Sequence, residues 1–157
     1  MSHLYLAVKL IHVVGAAVLF GTGLGIAFFM FMAHRTGDPA AIAHTARIVV
    51  IADALFTATA VVVQPLTGWA MAAMVGYSTY HFWIKATLVL YVAVGLCWLP
   101  VVWIQTRMRD LAAAAARDGT ALPAAYHRYY QVWFWLGWPA FAGVLMIFVL
   151  MLWRPHW

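Results

Sequence analysis

The stretch Phe82–Thr106, FWIKATLVLYVAVGLCWLPVVWIQT, decides the fold class, because it is apolar throughout and contains a single charged residue, Lys85. An α-helix needs about 20 apolar residues to cross the hydrocarbon core of a bilayer. Three other stretches meet this criterion, namely Tyr5–Ala33, Ile48–Val75 and Tyr130–Trp153. None of them alternates in polarity as the strands of a membrane barrel would. The sequence therefore predicts an all-α fold, in which residues 1–157 form one domain, an antiparallel bundle of four transmembrane helices.

The composition supports a membrane protein. Of the 157 residues, 67% are hydrophobic and 8% are charged, whereas about a quarter are charged in an ordinary soluble domain. The chain has no glutamate and no asparagine, so a carboxylate-rich hydrolase site has little to be built from. The net charge of +5 on so apolar a chain indicates basic loops at an anionic membrane surface rather than nucleic-acid binding. The single cysteine, Cys97, excludes an internal disulfide and is interpreted as a packing residue.

Capping residues predict where the helices begin and end. Asp38 followed by Pro39 is typical of an N-cap and a first helical position, so the second helix is expected to begin there. The third helix is expected to continue to Arg117 and to end at Gly119. Pro123 is expected to open the fourth helix. The second and third helices should therefore project beyond the bilayer on one side.

The basic residues predict the orientation. Six arginines lie in or beside the connections between helices 1 and 2 and between helices 3 and 4, namely Arg35, Arg47, Arg107, Arg109, Arg117 and Arg128. Three basic residues, Lys9, Lys85 and Arg154, lie near the opposite face. Because positive residues accumulate on the cytoplasmic side of a membrane, those two connections are expected in the cytoplasm and both termini outside.

Two ionisable residues of the first helix form a candidate site, because burying such groups in a membrane costs free energy. Lys9 and His12 lie three residues apart, hence on one face, and His12 lies about two turns below the outer surface. Histidine is a common axial ligand of haem, which makes His12 a candidate ligand. The alternative is a core histidine bonded to a neighbouring helix. Lys9 either belongs to this site or extends to the interface.

The third helix has two polar faces, of which only one can look into the bundle. His81 and Lys85 share a face and lie on the same outer side as His12. The opposite face carries Thr87, Tyr91, Trp98 and Gln105. The sequence leaves open which face looks inward. His81 is the best candidate for a second ligand, and Lys85 is included in the candidate site.

A stripe of small and polar residues runs along the second helix. By the helical period, its members fall within about 40° of one line. They are Asp53, Thr57, Ala60, Gln64, Thr67 and Met71. The stripe is expected to face the bundle interior, either for hydrogen bonds between helices or as a hydrated path for protons or quinone. Asp53 is expected to have a polar partner at the same depth, such as Arg107 or Gln105.

The remaining histidines and a ladder of small residues are interpreted structurally. Three histidines are expected to be solvated at the cytoplasmic connections, namely His34, His44 and His127. Small residues recur every fourth position in the first helix, at Ala17, Gly21 and Gly25. Such a ladder is typical of helix contacts and makes a homodimer through this face a prediction.

Several stretches resemble an uncharacterised bacterial family of predicted four-helix integral membrane proteins. They cover all four helices, at Lys9–Gly15, Phe20–Gly25, Gln64–Trp69, Trp98–Gln105 and Gly137–Phe141. The resemblance implies a multi-pass protein of the bacterial inner membrane and brings no activity with it.

A wider resemblance concerns haem. Lys9 and His12, with Trp83 and Lys85 at the start of the third helix, are similar to positions in the HemJ-type protoporphyrinogen oxidases. Those are small four-helix membrane proteins that bind haem b, and they are in turn similar to the CopD-type copper-resistance membrane proteins. The segment Met32–Arg35 stands where HemJ proteins carry a Pro-Arg…Tyr-His segment. The resemblance therefore implies haem binding rather than protoporphyrinogen oxidation.

The resulting hypothesis is a haem b membrane redox protein. His12 and His81 would be the axial ligands, Lys9 and Lys85 would belong to the site, and a membrane quinone would be the electron partner. One alternative is a non-catalytic membrane transport or assembly protein for copper, with soft ligands near the outer face at His3, Met71, Met74, His81 and His156. The other alternative is a structural membrane subunit.

Overall fold

The computed structural model describes residues 2–77 and 81–155. In these two ranges all regular structure is helical, with α1 at His3–Thr36, α2 at Pro39–Ala52, a π-helical turn at Asp53–Thr57, α3 at Ala58–Val75, α4 at Phe82–Asp118 and α5 at Ala124–Trp153. The elements α2, π turn and α3 follow one another without a break and form the second span, Pro39–Val75. Four helices are thus long and apolar enough to cross a membrane. The predicted all-α, four-helix class is confirmed.

The predicted capping residues lie at the ends of the helices. Asp38 is the N-cap of α2, and its carboxylate oxygens accept from the backbone N–H groups of Ala40 at 3.0 Å and Ala41 at 3.2 Å. Gly119 follows α4 with a φ of 64°, a left-handed conformation that favours glycine. Pro123 directly precedes α5. The helix boundaries predicted from these residues are confirmed.

The bundle has two halves that differ in packing. We call the half with the connections at 37–38 and 119–123 the connection half, and the half with the described chain ends and the α3–α4 connection the terminal half. In the connection half, α4 packs closely against both α5 and α2, and α1 packs against α2. The apolar core lies there and consists of Ile26, Met30, Ala33, Ile42, Ala46, Val49, Ile104, Met108, Ala112, Tyr126 and Trp133.

The terminal half is held by fewer close backbone contacts. Helix α3 packs on α1, whereas α1 meets α5 through aromatic side chains. The ring centroid of Phe20 lies 5.0 Å from that of Phe141 and 5.5 Å from that of Phe148. Within the described residues, α3 hardly approaches α4. The second span therefore lies close to α4 along α2 and diverges from it along α3.

The π turn lies where the second span changes its neighbour. A π turn takes more residues than an α turn, so it alters the direction of the side chains that follow. Asp53 faces α4, whereas Gln64 and Thr67 face α1. The structure therefore differs from the single line expected on a regular helix, because the π turn divides that stripe into two groups. Asp53 and Thr57 are buried, and Gln64 and Thr67 are half-buried.

Candidate functional sites in the spanning helices

His12 is held against the second span through one ring nitrogen. Its Nδ1 lies 2.8 Å from Oγ1 of Thr67. The Thr67 hydroxyl donates to the backbone carbonyl of Val63 at 2.7 Å. With its one proton directed at that carbonyl, the Thr67 hydroxyl accepts from the Nδ1–H of His12. A neutral ring in this orientation carries its lone pair on Nε2.

Two glycines allow α1 and α3 to approach this closely. A Cβ on Gly68 would lie 3.3 Å from Cε1 of His12, and a Cβ on Gly15 would lie 2.5 Å from Nε2 of Gln64. The Gln64 amide donates to the backbone carbonyl of His12 at 2.8 Å. Both the ring and the backbone of His12 are therefore positioned by α3.

The other predicted members of the His12 site lie elsewhere. Lys9 is exposed on α1, and Lys85 is exposed on α4. His81 directly precedes α4, is half-buried, and has its ring in an edge contact with Tyr77 at 5.6 Å between centroids. His12 itself is bonded to α3, through its ring to Thr67 and through its backbone carbonyl to Gln64.

Helix α4 turns the face opposite Lys85 towards the bundle interior. Thr87 and Gln105 on that face are 7% and 3% exposed. Tyr91 lies on the same face, and its hydroxyl donates to the backbone carbonyl of Val61 in α3. Of the two arrangements that the sequence left open, the structure has the one in which Lys85 lies on the outer surface of the bundle.

Asp53 lies at the π turn, is 4% exposed, and accepts hydrogen bonds from neutral donors. Nε1 of Trp98 lies 3.3 Å from its Oδ1. The Gln105 amide is assigned the orientation in which both its atoms form hydrogen bonds. Its nitrogen then donates to Oδ2 of Asp53 at 3.2 Å, and its oxygen accepts from Nε1 of Trp133 at 3.2 Å. We call these four residues the Asp53 centre. It joins the second span, α4 and α5, and each carboxylate oxygen has a donor.

Of the two partners predicted for Asp53, Gln105 is confirmed and Arg107 is wrong. Arg107 is exposed, and its guanidinium carbon lies 5.3 Å from the centroid of the Trp103 ring. Within residues 2–77 and 81–155, no lysine, arginine or histidine forms an ion pair with Asp53. Thr57, one turn along, faces the carboxylate without completing a hydrogen bond. The carboxyl group is therefore held by neutral groups.

His34 makes contacts that the sequence interpretation missed. It is half-buried on the last turn of α1, and its ring stacks on Tyr130 with 3.5 Å between centroids. Its Nδ1 lies 3.3 Å from the hydroxyl of Tyr126. The solvated interpretation is wrong for His34, because α5 returns beside α1 at this level, whereas His44 and His127 are exposed. The four-residue spacing of the two tyrosines is the signal that could have indicated a shared face.

The small-residue ladder of α1 makes no tight contact within the described chain. Ala17 and Gly21 are exposed, and a Cβ on Gly21 would meet no atom within 4 Å. Gly25 is half-buried, and a Cβ there would meet Phe29 of the same helix at 3.8 Å. A homodimer through this face stays a prediction.

The residues predicted as soft copper ligands are spread over the terminal half. His3 and Met74 are exposed, Met71 is half-buried, and His156 lies outside the described residues. Over the described ranges there is no group of three or more His, Cys, Asp or Glu side chains placed to hold a metal ion.

Comparison with protein families places these features in context. A family model described as "Predicted integral membrane protein (DUF2269)" matches residues 6–155. The matched range contains both the His12 contacts and the Asp53 centre. Comparison with curated proteins and with solved structures finds no match. The family description gives a membrane location and no reaction.

Proposed function

We propose that this chain, which belongs to the DUF2269 family of predicted integral membrane proteins, is a redox protein that binds haem b through His12. The observation that supports this proposal is the contact of 2.8 Å between Nδ1 of His12 and Oγ1 of Thr67. It fixes the ring and leaves the Nε2 lone pair for a ligand.

The residues around His12 are suited to holding haem b. A histidine ligates a metal through a neutral nitrogen, and its other ring nitrogen commonly donates to a protein acceptor that sets the tautomer and orientation. His12 has that arrangement, with Thr67 as the acceptor. Lys9, one turn nearer the terminal end, is an exposed cation that suits a propionate carboxylate better than iron. When bound, haem b supplies one-electron chemistry.

The proposal also names partners and a location. His81, half-buried at the start of α4, is the proposed second axial ligand, and Lys85 is the proposed second cation of the site. A membrane quinone is the proposed electron partner, because it dissolves in the same bilayer. The distribution of basic residues favours the bacterial inner membrane with both termini outside.

A visible spectrum of the purified protein tests the proposal. The full-length chain is expressed with an ample haem supply and purified in detergent, and a Soret band is expected. His12→Ala should abolish the band. Thr67→Val removes the acceptor for Nδ1 and should lower the haem affinity about 10- to 100-fold. His44→Ala, at an exposed residue, is the control and should leave the spectrum unchanged.

Other outcomes are equally informative. His81→Ala should change the spin-state signature if His81 is the second ligand. A folded, colourless wild-type protein would contradict haem binding, as would a His12→Ala variant with an unchanged Soret band. If elemental analysis of a colourless sample finds copper, the transport alternative is supported, and if it finds none, the structural alternative remains.

A further inference from the structure

A row of buried polar groups follows the inward face of α4 and continues on the second span, separate from the His12 contacts. On α4 it consists of Trp83, Thr87 and Tyr91, which follow one another at four-residue intervals and so lie about 6 Å apart along one face. On the second span it continues with Thr57 and Asp53. Trp83 and Thr87 are each 7% exposed, and Thr57 is 6% exposed. The row thus runs from the terminal end to the Asp53 centre.

Three members of this row lack a completed hydrogen bond to the protein. Nε1 of Trp83, Oγ1 of Thr87 and Oγ1 of Thr57 are the buried side-chain polar atoms that lack a hydrogen bond in the described part of the protein. Lipid cannot supply the missing bonds inside a bilayer. Buried polar groups in native proteins are instead satisfied by protein or ordered water. Trp83 and Thr87 lie one turn apart on one face of α4, and Thr57 belongs to the neighbouring span, so ordered water is a partner that all three can share.

The antiparallel register leaves room for that partner. Tyr91 reaches Val61 and Trp98 reaches Asp53, so Gly95 of α4 lies opposite Thr57. A Cβ on Gly95 would meet no atom within 4 Å. One water with two hydrogen bonds of about 2.8 Å spans the distance between successive turns. The space and the spacing therefore suit a single file of waters.

The packing of the spans gives this row an end at the surface. The second span and α4 diverge from the π turn towards the terminal end, because α2 packs closely on α4 whereas α3 hardly approaches it apart from the Tyr91 hydrogen bond. At that end, the guanidinium carbon of Arg154 lies 5.8 Å from the Trp83 ring centroid, and its Nη1 donates to the Tyr77 hydroxyl at 3.3 Å. A charged, exposed group thus borders the start of the row.

The other end is a carboxyl group suited to exchanging a proton. The groups that face Asp53 are Trp98 and Gln105 from α4 and Thr57 from its own span, and none of them carries a charge. No cation in the described ranges is paired with Asp53 to hold it ionised. Thr57 has an oxygen that can accept from a protonated carboxyl.

We propose that a water-bridged row along Trp83, Thr87 and Thr57 carries protons between the aqueous phase at the terminal end and the carboxyl group of Asp53. In the step itself a proton shifts along the row, so that one O–H bond forms on the Asp53 carboxylate and one O–H bond of a hydronium ion at the surface breaks, which leaves a neutral water there. No electron is transferred. The proposal is independent of haem binding, because none of these groups contacts His12.

Infrared spectroscopy of the full-length protein in liposomes tests the proposal. The C=O stretch of a protonated carboxyl is well resolved, and the chain has four aspartates and no glutamate. The band that Asp53→Asn removes therefore belongs to Asp53. After a rapid change to D2O buffer, the shift of this band measures the rate of proton exchange.

Matched variants distinguish the role of the row in proton exchange from the general effects of a substitution on the protein. Thr57→Val and Thr87→Val should each slow the exchange about tenfold, the factor that the loss of one hydrogen bond corresponds to. Thr59→Val is the control, because Thr59 is exposed and bonds only within its own helix, to the carbonyl of Leu55 at 2.6 Å. Its exchange should match that of the wild type.

A second pair of variants fills space without removing a polar group. Gly95→Leu should slow the exchange by occluding the row opposite Thr57. Gly137→Leu is its control, because a Cβ on Gly137 also meets no atom within 4 Å and Gly137 is exposed on α5. The proposal is overturned if Asp53→Asn removes no carboxyl band at any pH at which the protein is folded. Wild-type exchange rates in Thr57→Val and Gly95→Leu would also overturn it.

Discussion

The connection half and the terminal half of this bundle differ in how they are held together. In the connection half, all four spans meet around a core in which Met30, Ile42, Met108 and Tyr126 are fully buried. In the terminal half, the spans separate into the pairs α1–α3 and α4–α5, bridged by aromatic rings and by Tyr91. Close packing drives helix association in lipid, and exclusion of water adds to it where the helices project beyond the bilayer, so the packed half should account for most of the stability.

The difference also explains where the polar groups lie. The Asp53 centre stands at the boundary of the packed half, and both its carboxylate oxygens have donors. The unpartnered buried atoms of Trp83 and Thr87 lie in the terminal half, where the spans diverge. Close packing satisfies polar groups directly, whereas a divergent pair of helices leaves them for water or a ligand. Function is therefore expected in the less closely packed half.

The largest expected effect tests the packing of the two halves. Met108→Ala removes a side chain with 0% exposure from the core of the connection half and should lower the free energy of unfolding by about 2–5 kcal/mol. Met71→Ala, at a half-buried position of the terminal half, should cost about 1 kcal/mol or less. Unfolding measured by steric trapping in micelles would show the two values. Equal losses would contradict the comparison.

A smaller effect is expected at the boundary between the halves. Gln105→Leu leaves Oδ2 of Asp53 and Nε1 of Trp133 without partners and should lower the free energy of unfolding by about 1–3 kcal/mol. Combined with Asp53→Asn in a double-mutant cycle, the pair should show an interaction free energy of about 0.5–3 kcal/mol. Gln131→Leu, at an exposed glutamine of α5, is the control. Additive effects of the two substitutions would show that the Asp53 centre does not act as a unit.

The smallest effect is expected at the edge of the connection half. His34→Ala removes the stack on Tyr130 and the hydrogen bond to Tyr126, and it should lower the free energy of unfolding by about 1 kcal/mol. His44→Ala, at an exposed position of α2, should change it by no more than about 0.5 kcal/mol. Thermal unfolding of the two variants side by side measures the difference. Identical unfolding curves would place His34 with the solvated histidines after all.

Local patterns in the sequence predicted most of the fold. The apolar runs, the Asp38–Pro39 start and the Gly119 end each depend on a few neighbouring residues, so they could be recognised without a structure. The hydrogen bond between Asp53 and Gln105 could also be predicted, because the two residues were expected at the same depth in the membrane. Depth could not exclude Arg107, since a long side chain at the membrane edge can turn outward to an aromatic ring.

The contacts between distant helices could not be predicted from the sequence. The pairing of His12 with Thr67 depends on the register between α1 and α3, which the close approach at Gly15 and Gly68 determines. His34 was assigned to a connection because its contacts come from α5, some ninety positions later in the chain. The division of the polar stripe was missed because periodicity assumes a regular helix throughout.

The π turn at Asp53–Thr57 has a consequence for comparing chain lengths within the family. Deleting one residue there would let the turn relax to an ordinary α-helix, and the span up to Val75 would keep its facing, because the π turn already accommodates one residue more than an α turn. Gln64 and Thr67 would then still point at His12. Deleting one residue of the regular helix between Ala58 and Val63 would instead rotate Gln64 and Thr67 by about 100° about the helix axis. A relative with a one-residue gap within 53–57 would thus keep both features, whereas one with the gap within 58–63 would have the acidic centre without the anchored histidine.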